Sequence, residues 1–393
     1  MNDFADFNSS EIAKNFKGGD VFYFSDAISA NGIRHTEAMI KKIIKDKNIS
    51  VVFFAPNGDS YELSIEFFSG LREMGVKNVL WVLDDEMIFD VLTKYYAQVF
   101  DAAITCDYYA TFAYRKLGIP SLYYFSSYSK NDFPSLNNRF KDIDVSFVGD
   151  CTKANRLEYI NHLRKNGIGI SVFGEGSENG FIRKDDLSLI LSRSKINLNF
   201  TRLNTPTASA WFLRDNTLTA VMRQNKGRPM EIAMAGSFCL SEYSSSLPVT
   251  FEIGKEMDVF YDKEDLLAKV GYYLENEDIR NQMAGNAHRK AVTLYDVDVF
   301  MPELLKELCN VLNSQSYVQM DLTIYKDTVF KKNHITRLTI LMFYQFLKLR
   351  FKPALETFTN LFQYGLSVFF VSFLRGIRIA FLKVSSKFSR GIK

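Results

Sequence analysis

The feature that most restricts the fold of this 393-residue chain is a regular alternation of short apolar runs with longer segments of helical periodicity. Five apolar runs typical of buried strands occur in the first part of the chain, at Val21–Ser25, Ser50–Ala55, Asn78–Leu83, Asp101–Thr105 and Ser121–Tyr124. Amphipathic segments lie between them. Strands that alternate with helices in this way predict βαβ units, and therefore an α/β domain built on a parallel sheet.

A polar stretch from Ser126 to Lys141 interrupts the alternation, which then starts again. The second set of predicted strands is Val145–Val148, Ile170–Phe173, Ile196–Phe200, Phe238–Ser241 and Val259–Phe260. We therefore predict one Rossmann-like, doubly wound domain in residues 1–140, a second in residues 141–313 and a helical tail in residues 314–393. Such domains face each other across a cleft, and ligands bind at the carboxyl ends of the strands.

A short helix in the second domain carries the first candidate ligand group. Pro229 stands in its first turn after Arg228, and Gly236 follows its last turn, which is the pattern of a complete short helix. Glu231 falls in the first turn, where its carboxylate can face the cleft and accept hydrogen bonds from the two hydroxyls of a ribose. The alternative is an acid that only compensates the helix dipole.

Several segments of the second half resemble a known family in their order and spacing. They are Asp144–Gly149 with Arg156 seven residues later, Ser194–Phe200, Arg228–Gly236, and Tyr261–Leu266 followed by Tyr272–Asn276. In this set, over about residues 144 to 295, the chain resembles the CgeB-like glycosyltransferases, whose nucleotide-sugar half belongs to the GT-B enzymes of the glycosyl transferases group 1 type. The first half resembles the family mainly in architecture.

The resemblance implies a GT-B glycosyltransferase that moves a hexose from a nucleoside-diphosphate sugar to a hydroxyl of a glycan or glycolipid, in bacterial surface polysaccharide or glycoconjugate synthesis. The second domain is expected to hold the donor and the first domain the acceptor. Glu231 occupies the position that binds the ribose in related enzymes, whereas Arg223 stands where many relatives carry an acid. Gly174 and Asn199 are further expected donor-binding residues.

Two other functions stay open on the sequence. A non-catalytic sugar- or nucleotide-binding module would keep the fold without transfer, and the missing acid at Arg223 keeps this alternative open. A nucleotide-sugar epimerase of the same fold is the third, although an epimerase would not need the apolar, basic tail.

The donor diphosphate is expected to bind without a metal ion. Gly149 follows a strand and lets backbone N–H groups approach an anion, while Lys153 and Arg156 open the next helix, whose N-terminus favours negative charge. Arg228 can reach the same space. The alternative interpretation is that Lys153 and Arg156 are solvated surface bases.

No metal site and no cofactor are expected. The four cysteines stand far apart and form no Cys-x-x-Cys pair or Cys/His cluster. The triplet Asp142-Ile-Asp144 precedes its strand, at the wrong end of the sheet for a cleft ligand, and Asp296-Val-Asp298 lies within or beside a helical pattern.

Candidate catalytic residues come from two places in the first domain. Asp84 and Asp85 follow the predicted strand that ends at Leu83, so they are expected to face the cleft as a pair of carboxylates that can orient an acceptor hydroxyl or act as a general base. A helix N-cap is the rival role. His35, in the loop before a predicted helix, can supply a proton, and a structural histidine is the alternative.

The tail differs from the rest of the chain in charge. Residues 335–393 contain ten Lys or Arg and one acid, Glu356, and they are rich in Phe, Leu, Ile and Val. A nucleic-acid tail is basic and polar, so we expect no nucleic-acid partner. Apolar residues recur at helical spacing from Phe358 to Phe388, among them Leu361 and Phe369, which predicts one amphipathic helix with an apolar stripe. Such a helix lying on an anionic membrane surface, with the stripe facing the lipid, fits better than a membrane-spanning helix, which is the second choice. With an acidic start that lacks a signal pattern, the chain is expected in the cytoplasm, peripheral on the inner face of the cell membrane. The alternative is packing on the protein's own domains.

Overall fold

The fold is known from a computed structural model, which describes residues 3–56, 61–133, 141–153, 155–203, 222–224, 226–314, 326–362 and 365–390. It contains two parallel sheets. The first has the order β1-β2-β3-β4 and the second the order β6-β5-β7-β8-β9. The strands are β1 Val51–Phe54, β2 Lys77–Val82, β3 Ala102–Thr105, β4 Ser121–Tyr123, β5 Ile143–Val148, β6 Ile170–Phe173, β7 Ser194–Asn199, β8 Cys239–Glu242 and β9 Asp258–Phe260.

Helices separate the strands, as the alternation predicts. Within the described residues they are α1 Asp3–Lys14, α2 Phe24–Asn31, α3 Ile33–Asp46, α4 Ile65–Glu73, α5 Asp85–Ile88, α6 Lys94–Tyr96, α7 Tyr108–Lys116, α8 Arg156–Lys165, α9 Lys184–Arg193, α10 Arg228–Met234, α11 Leu247–Thr250, α12 Lys263–Glu275, α13 Glu277–Leu294, α14 Val297–Ser314, α15 Thr328–Leu347, α16 Phe351–Leu361 and α17 Leu366–Arg390. The α/β class and the two parallel sheets are thereby confirmed.

The predicted strand at Val21–Ser25 is wrong. The backbone N–H of Val21 donates to the side chain of Asp20 at 2.9 Å instead of joining a sheet ladder. Phe24 already begins α2, and its ring lies 5.1 Å from that of Phe54 on β1. A short apolar run can bury its side chains as a strand or as a helix, and here packing against β1 favours the helix.

The C-terminal helices cover both faces of the first sheet. Helix α14 packs its Met301 and Leu308 against the face that carries Trp81. Leu80, which points to the other face, belongs to the core that includes Ile335 of α15. Neighbouring residues of one strand point to opposite faces, so both faces of β2 are buried by the end of the chain.

The tail departs from the sequence-based expectation of one continuous amphipathic helix. Residues 328–390 form three helices, and part of the predicted lipid-facing stripe, including Leu361 and Phe369, is buried in the first domain. For those residues the alternative, packing on the protein's own domains, is correct. Over the part of the chain that the structure describes, no helix is both long enough and apolar enough to cross a membrane.

Candidate functional site

The carboxyl ends of the two sheets meet through side-chain contacts. Asp84, which follows β2, accepts a hydrogen bond from Nε2 of Gln224 in the second domain. The phenol of Tyr123, at the end of β4, lies 3.2 Å from the hydroxyl of Thr250. These contacts join the edges at which ligands of parallel sheets bind, so a cleft between the domains lies where the topology predicts.

Lys226 is the charged group at the centre of this cleft. Its ammonium donates a hydrogen bond to the side-chain oxygen of Gln224, which links it to Asp84. Burial lowers the pKa of Lys226, and the carboxylates of Asp84 and Glu86 oppose that effect. Because Arg156 from the second domain also acts on it, Lys226 lies between the acids of one domain and the bases of the other.

Arg156 and Lys153 differ in how they are held. The Arg156 guanidinium donates to the carbonyl of Asp150 at 2.7 Å, lies 5.6 Å above the Phe147 ring and is buried. Burial lowers its pKa. Lys153 is exposed, with its Nζ 3.6 Å from a carboxylate oxygen of Asp150. Arg156 is therefore not the solvated base of the alternative interpretation, whereas that interpretation stays open for Lys153.

Gly149 and Gly174 bring their two loops into contact, and the N–H of Gly149 is not available to a ligand. The N–H of Gly149 already donates to the carbonyl of Phe173 at 2.9 Å. Gly174 has a φ of 114°, and a Cβ there would overlap the carbonyl oxygen of Gly149. The N–H of Gly149 itself is thus taken by the neighbouring strand β6, and an approach of other N–H groups of this loop to an anion stays a prediction. The glycines let the loops after β5 and β6 touch.

Helix α10 begins where the sequence pattern predicts. Pro229 lies in its first turn, and a Cβ on the preceding Gly227 would overlap the hydroxyl of Tyr128 from the first domain. Glu231 forms an ion pair of 2.6 Å with Arg228, and both side chains keep part of their surface exposed. A donor ribose at Glu231 would share the carboxylate with Arg228, or displace it.

A buried carboxylate that the sequence analysis missed organises the ends of β7 and β8. Glu242 accepts hydrogen bonds from the backbone N–H groups of Thr201 and Arg202 at 3.0 and 2.8 Å. Its other oxygen lies 3.6 Å from Arg202 Nε and 3.4 Å from Arg223 Nε. One carboxylate thus fixes two guanidinium groups at the cleft edge. The available sequence signal was an acid at the end of a strand, as at Asp84.

Asn199 and His35, two other predicted site residues, do not present free side chains to the cleft. Asn199 is buried and donates to the hydroxyl of Ser241 at 2.8 Å, which ties β7 to β8. His35 is exposed in the first turn of α3. Its neighbour Arg34 is held by the tail, with its N–H 2.7 Å from Glu356. The described contacts do not bring His35 to Asp84.

The adjacent carboxylates Asp84 and Asp85 separate in the structure. Asp85 is buried, accepts from Thr93 Oγ1 at 2.6 Å and from the Tyr114 phenol at 2.9 Å, and points into the first domain. Burial raises the pKa of Asp85 to about 7, against these hydrogen bonds. Only Asp84 reaches the cleft. The expectation that the two form a cleft-facing pair is therefore wrong.

Three of the four aspartates in the two rejected triplets have cationic partners. Arg193 pairs with Asp142, Lys195 with Asp144 and Lys130 with Asp296. Among the described residues, no group of three or more His, Cys, Asp or Glu side chains is placed to hold a metal ion.

Comparison with known proteins identifies the fold. Residues 156–306 match the family model described as Glycosyl transferase-like. The chain is similar to a glycosyltransferase from Rickettsia africae, with 12% identity over 72% of this chain and 82% of that one and a TM-score of 0.54. Sucrose-phosphate synthase from Thermosynechococcus elongatus matches at 10% identity, 76% and 82% coverage and a TM-score of 0.53.

HepE from Anabaena, solved with UDP and glucose, matches at 10% identity over 79% of this chain and 96% of that one, with a TM-score of 0.53. No curated protein matches the chain. These similarities establish a GT-B fold with a helical C-terminal region.

Proposed function

We propose that this protein is a glycosyltransferase that moves a hexose from a nucleoside-diphosphate sugar to a hydroxyl of a glycan or glycolipid in bacterial surface glycan synthesis. The observation that carries the proposal is the cleft itself, where Asp84 of one domain stands opposite Lys226 and Arg156 of the other. The family match over residues 156–306 supports the reaction class. The UDP bound to HepE supports a nucleoside diphosphate as the donor's leaving group.

The proposed donor contacts lie on the second domain. Glu231 binds the ribose hydroxyls, and Arg156, Lys153 and Arg228 take the diphosphate with Lys226. The positive charge of Arg156 acts on Lys226 and helps to lower its pKa, which supports this assignment. Guanidinium and ammonium groups are the side chains that bind phosphate best, and their partial burial strengthens each interaction.

In the proposed reaction, the bond between the anomeric carbon and the diphosphate oxygen breaks, and a bond to the acceptor oxygen forms. The acceptor hydroxyl loses its proton, and Asp84 is the carboxylate placed to accept it. Negative charge develops on the departing diphosphate, where the cations of the cleft stabilise it without help from a metal ion. Lys226 is hydrogen-bonded through Gln224 to Asp84, so it links the two halves of the reaction.

We also propose a cytoplasmic enzyme that is peripheral on the inner face of the cell membrane. Exposed apolar and basic side chains on the C-terminal helices support this location. A lipid-linked acceptor would then lie beside the cleft.

One other function has a specific observation in its favour. Arg223 is held by Glu242 at the place where relatives carry an acid, which suits a binding module that has lost transfer. Incubation with a panel of nucleoside-diphosphate sugars separates the possibilities. Release of free nucleoside diphosphate supports the transferase, binding without turnover supports the module, and a changed donor sugar supports an epimerase.

A further inference from the structure

The C-terminal helices expose apolar side chains that the two domains do not cover. At the turn between α15 and α16, Leu347, Leu349 and Phe351 have 55%, 75% and 60% of their surface exposed. Surface helices of a soluble domain normally turn polar side chains outward. A contiguous exposed apolar patch marks an interaction surface.

Leu349 stands out for its backbone as well as its exposure. Its φ is 57°, in the left-handed region, and its side chain is exposed. Gly or Asn adopts this conformation at lower cost, so a leucine there is strained. Neither burial of the side chain nor the preference of the backbone explains why a leucine occupies this position. A strained, exposed leucine is expected where its apolar side chain binds something outside the protein.

The three tail helices bring this turn together with the outer face of α17. Thr336 of α15 donates to the carbonyl of Ser372 at 3.3 Å, and the rings of Phe343 and Phe381 lie 5.1 Å apart. The residue numbers of both helices increase from the first of these pairs to the second, so α15 and α17 run parallel. The C-terminal end of α17 therefore lies at the same end of the layer as the α15–α16 turn.

The outer face of α17 is also apolar. Its exposed apolar residues recur at helical spacing, at Phe370, Val371, Leu374 and Phe381, and the exposed Arg378 lies among them. The inner face packs closely on α15, since a Cβ on Gly376 would overlap Thr339. Helix α17 is thus buried on one side, and its other side is apolar with one base.

The charges around this face are almost all positive. Lys348 and Lys352 are exposed beside the apolar turn, and Arg378 is exposed on α17. The one acid of the tail, Glu356, accepts a hydrogen bond from the Arg34 N–H at 2.7 Å and so points toward α3. Arg337 is buried against the Tyr61 ring and contributes nothing to the surface.

We infer that the α15–α16 turn and the outer face of α17 form one docking surface for an anionic lipid bilayer. Apolar side chains at the turn enter the acyl boundary, and Lys348 and Lys352 meet the headgroups. A second copy of the chain is a poorer occupant, because a two-fold interface would set these lysines against one another with no acid between them. The inference rests on the proposed membrane location, to which it assigns named residues, and it uses none of the residues of the proposed reaction, so either can fail without the other.

The test is sedimentation of the full-length protein with vesicles of phosphatidylcholine, alone or mixed with phosphatidylglycerol. The protein should pellet only with the anionic vesicles. Replacing Lys348 and Lys352 with Gln should weaken this binding about 25-fold, or about fivefold for each base. The variant Leu349→Asn with Phe351→Ser should weaken it roughly tenfold or more.

Phe181→Ser is the matched control, because Phe181 is an exposed aromatic residue of the second domain. This control should pellet like the unaltered chain. No variant should melt at a lower temperature than the unaltered chain, and all should keep its nucleotide binding. The inference is overturned if the full-length chain stays in solution with anionic vesicles. It is also overturned if light scattering shows a dimer that Leu349→Asn with Phe351→Ser converts to a monomer, because a second copy then covers the face.

Discussion

Replacement of Asp85 by Asn tests whether this carboxyl belongs to the folded core or to the cleft. Burial raises the pKa of Asp85 to about 7, although Thr93 and Tyr114 donate hydrogen bonds to it. An aspartate in an unfolded chain has a pKa near 3.9. The folded protein therefore holds a proton at pH 5 to 6 that the unfolded chain has released.

The size and sign of the effect follow from that difference. Where the folded state binds more protons than the unfolded state, stability falls as the pH rises. The pKa difference is about three units, each of which corresponds to about 1.36 kcal/mol, so ionising this group removes roughly 4 kcal/mol between about pH 4 and pH 7. Asn resembles the protonated acid in shape and does not titrate, so the variant escapes this loss.

The assay is urea unfolding of the two proteins at several pH values. The free energy of unfolding of Asp85→Asn, minus that of the unaltered protein, should rise by about 1 kcal/mol per pH unit between pH 5 and pH 7. Other titrating groups are common to both proteins and cancel. Asp84→Asn is the matched control, since Asp84 is partly exposed in the cleft, and its difference should change much less.

A difference that stays flat with pH would refute the reasoning. A difference that is flat above pH 5 and falls as the pH rises toward about pH 4 would mean that Asp85 is ionised in the folded protein and is stabilised by its hydroxyl donors. Loss of sugar transfer in Asp85→Asn with unchanged stability would return the residue to the catalytic candidates.

Three further predictions concern the donor, the metal and the tail. Glu231→Gln should weaken nucleotide binding about tenfold in calorimetry, because a charge-assisted hydrogen bond contributes roughly 1.5 kcal/mol even in a partly exposed site. The exposed Glu264, in the first turn of α12, provides the control Glu264→Gln, and equal affinity in both variants would reject the ribose assignment. Transfer should persist in excess chelator, and a loss that added magnesium or manganese reverses would show that a metal takes part. Ile335→Ala should lower the free energy of unfolding by about 2 to 5 kcal/mol, because Ile335 is fully buried in the first domain, whereas unchanged stability would place α15 outside the core.

Patterns within a strand or a helix could be read from the sequence with good accuracy. The five predicted strands of the second domain correspond to β5 through β9, because each contributes apolar residues to the buried cores of that domain. Helix α10 was bounded by Pro229 and Gly236, whose backbone preferences act locally. The prediction of a strand at Val21–Ser25 was wrong because an apolar run of this length is compatible with a strand and with the start of a helix.

Contacts between segments that are distant in the sequence could not be predicted in the same way. Asp84 and Asp85 give the same sequence signal, yet only one of two neighbouring side chains can face the cleft. Glu242 holds Arg202 and Arg223 only because β7 and β8 pair side by side. An apolar stripe on a helix has the same period whether it contacts lipid or protein. The periodicity of the tail therefore could not show that Leu361 is buried in the first domain.

Turnover of a nucleoside-diphosphate sugar decides whether this protein transfers a sugar. The purified protein should release nucleoside diphosphate from one member of a donor panel, slowly with water and faster with a suitable hydroxyl acceptor. Lys226→Met should lower the rate at least tenfold while the protein stays folded, because the departing diphosphate loses a partly buried cation. A donor that binds and is recovered unchanged, with or without any acceptor, would contradict the account and leave a sugar- or nucleotide-binding module.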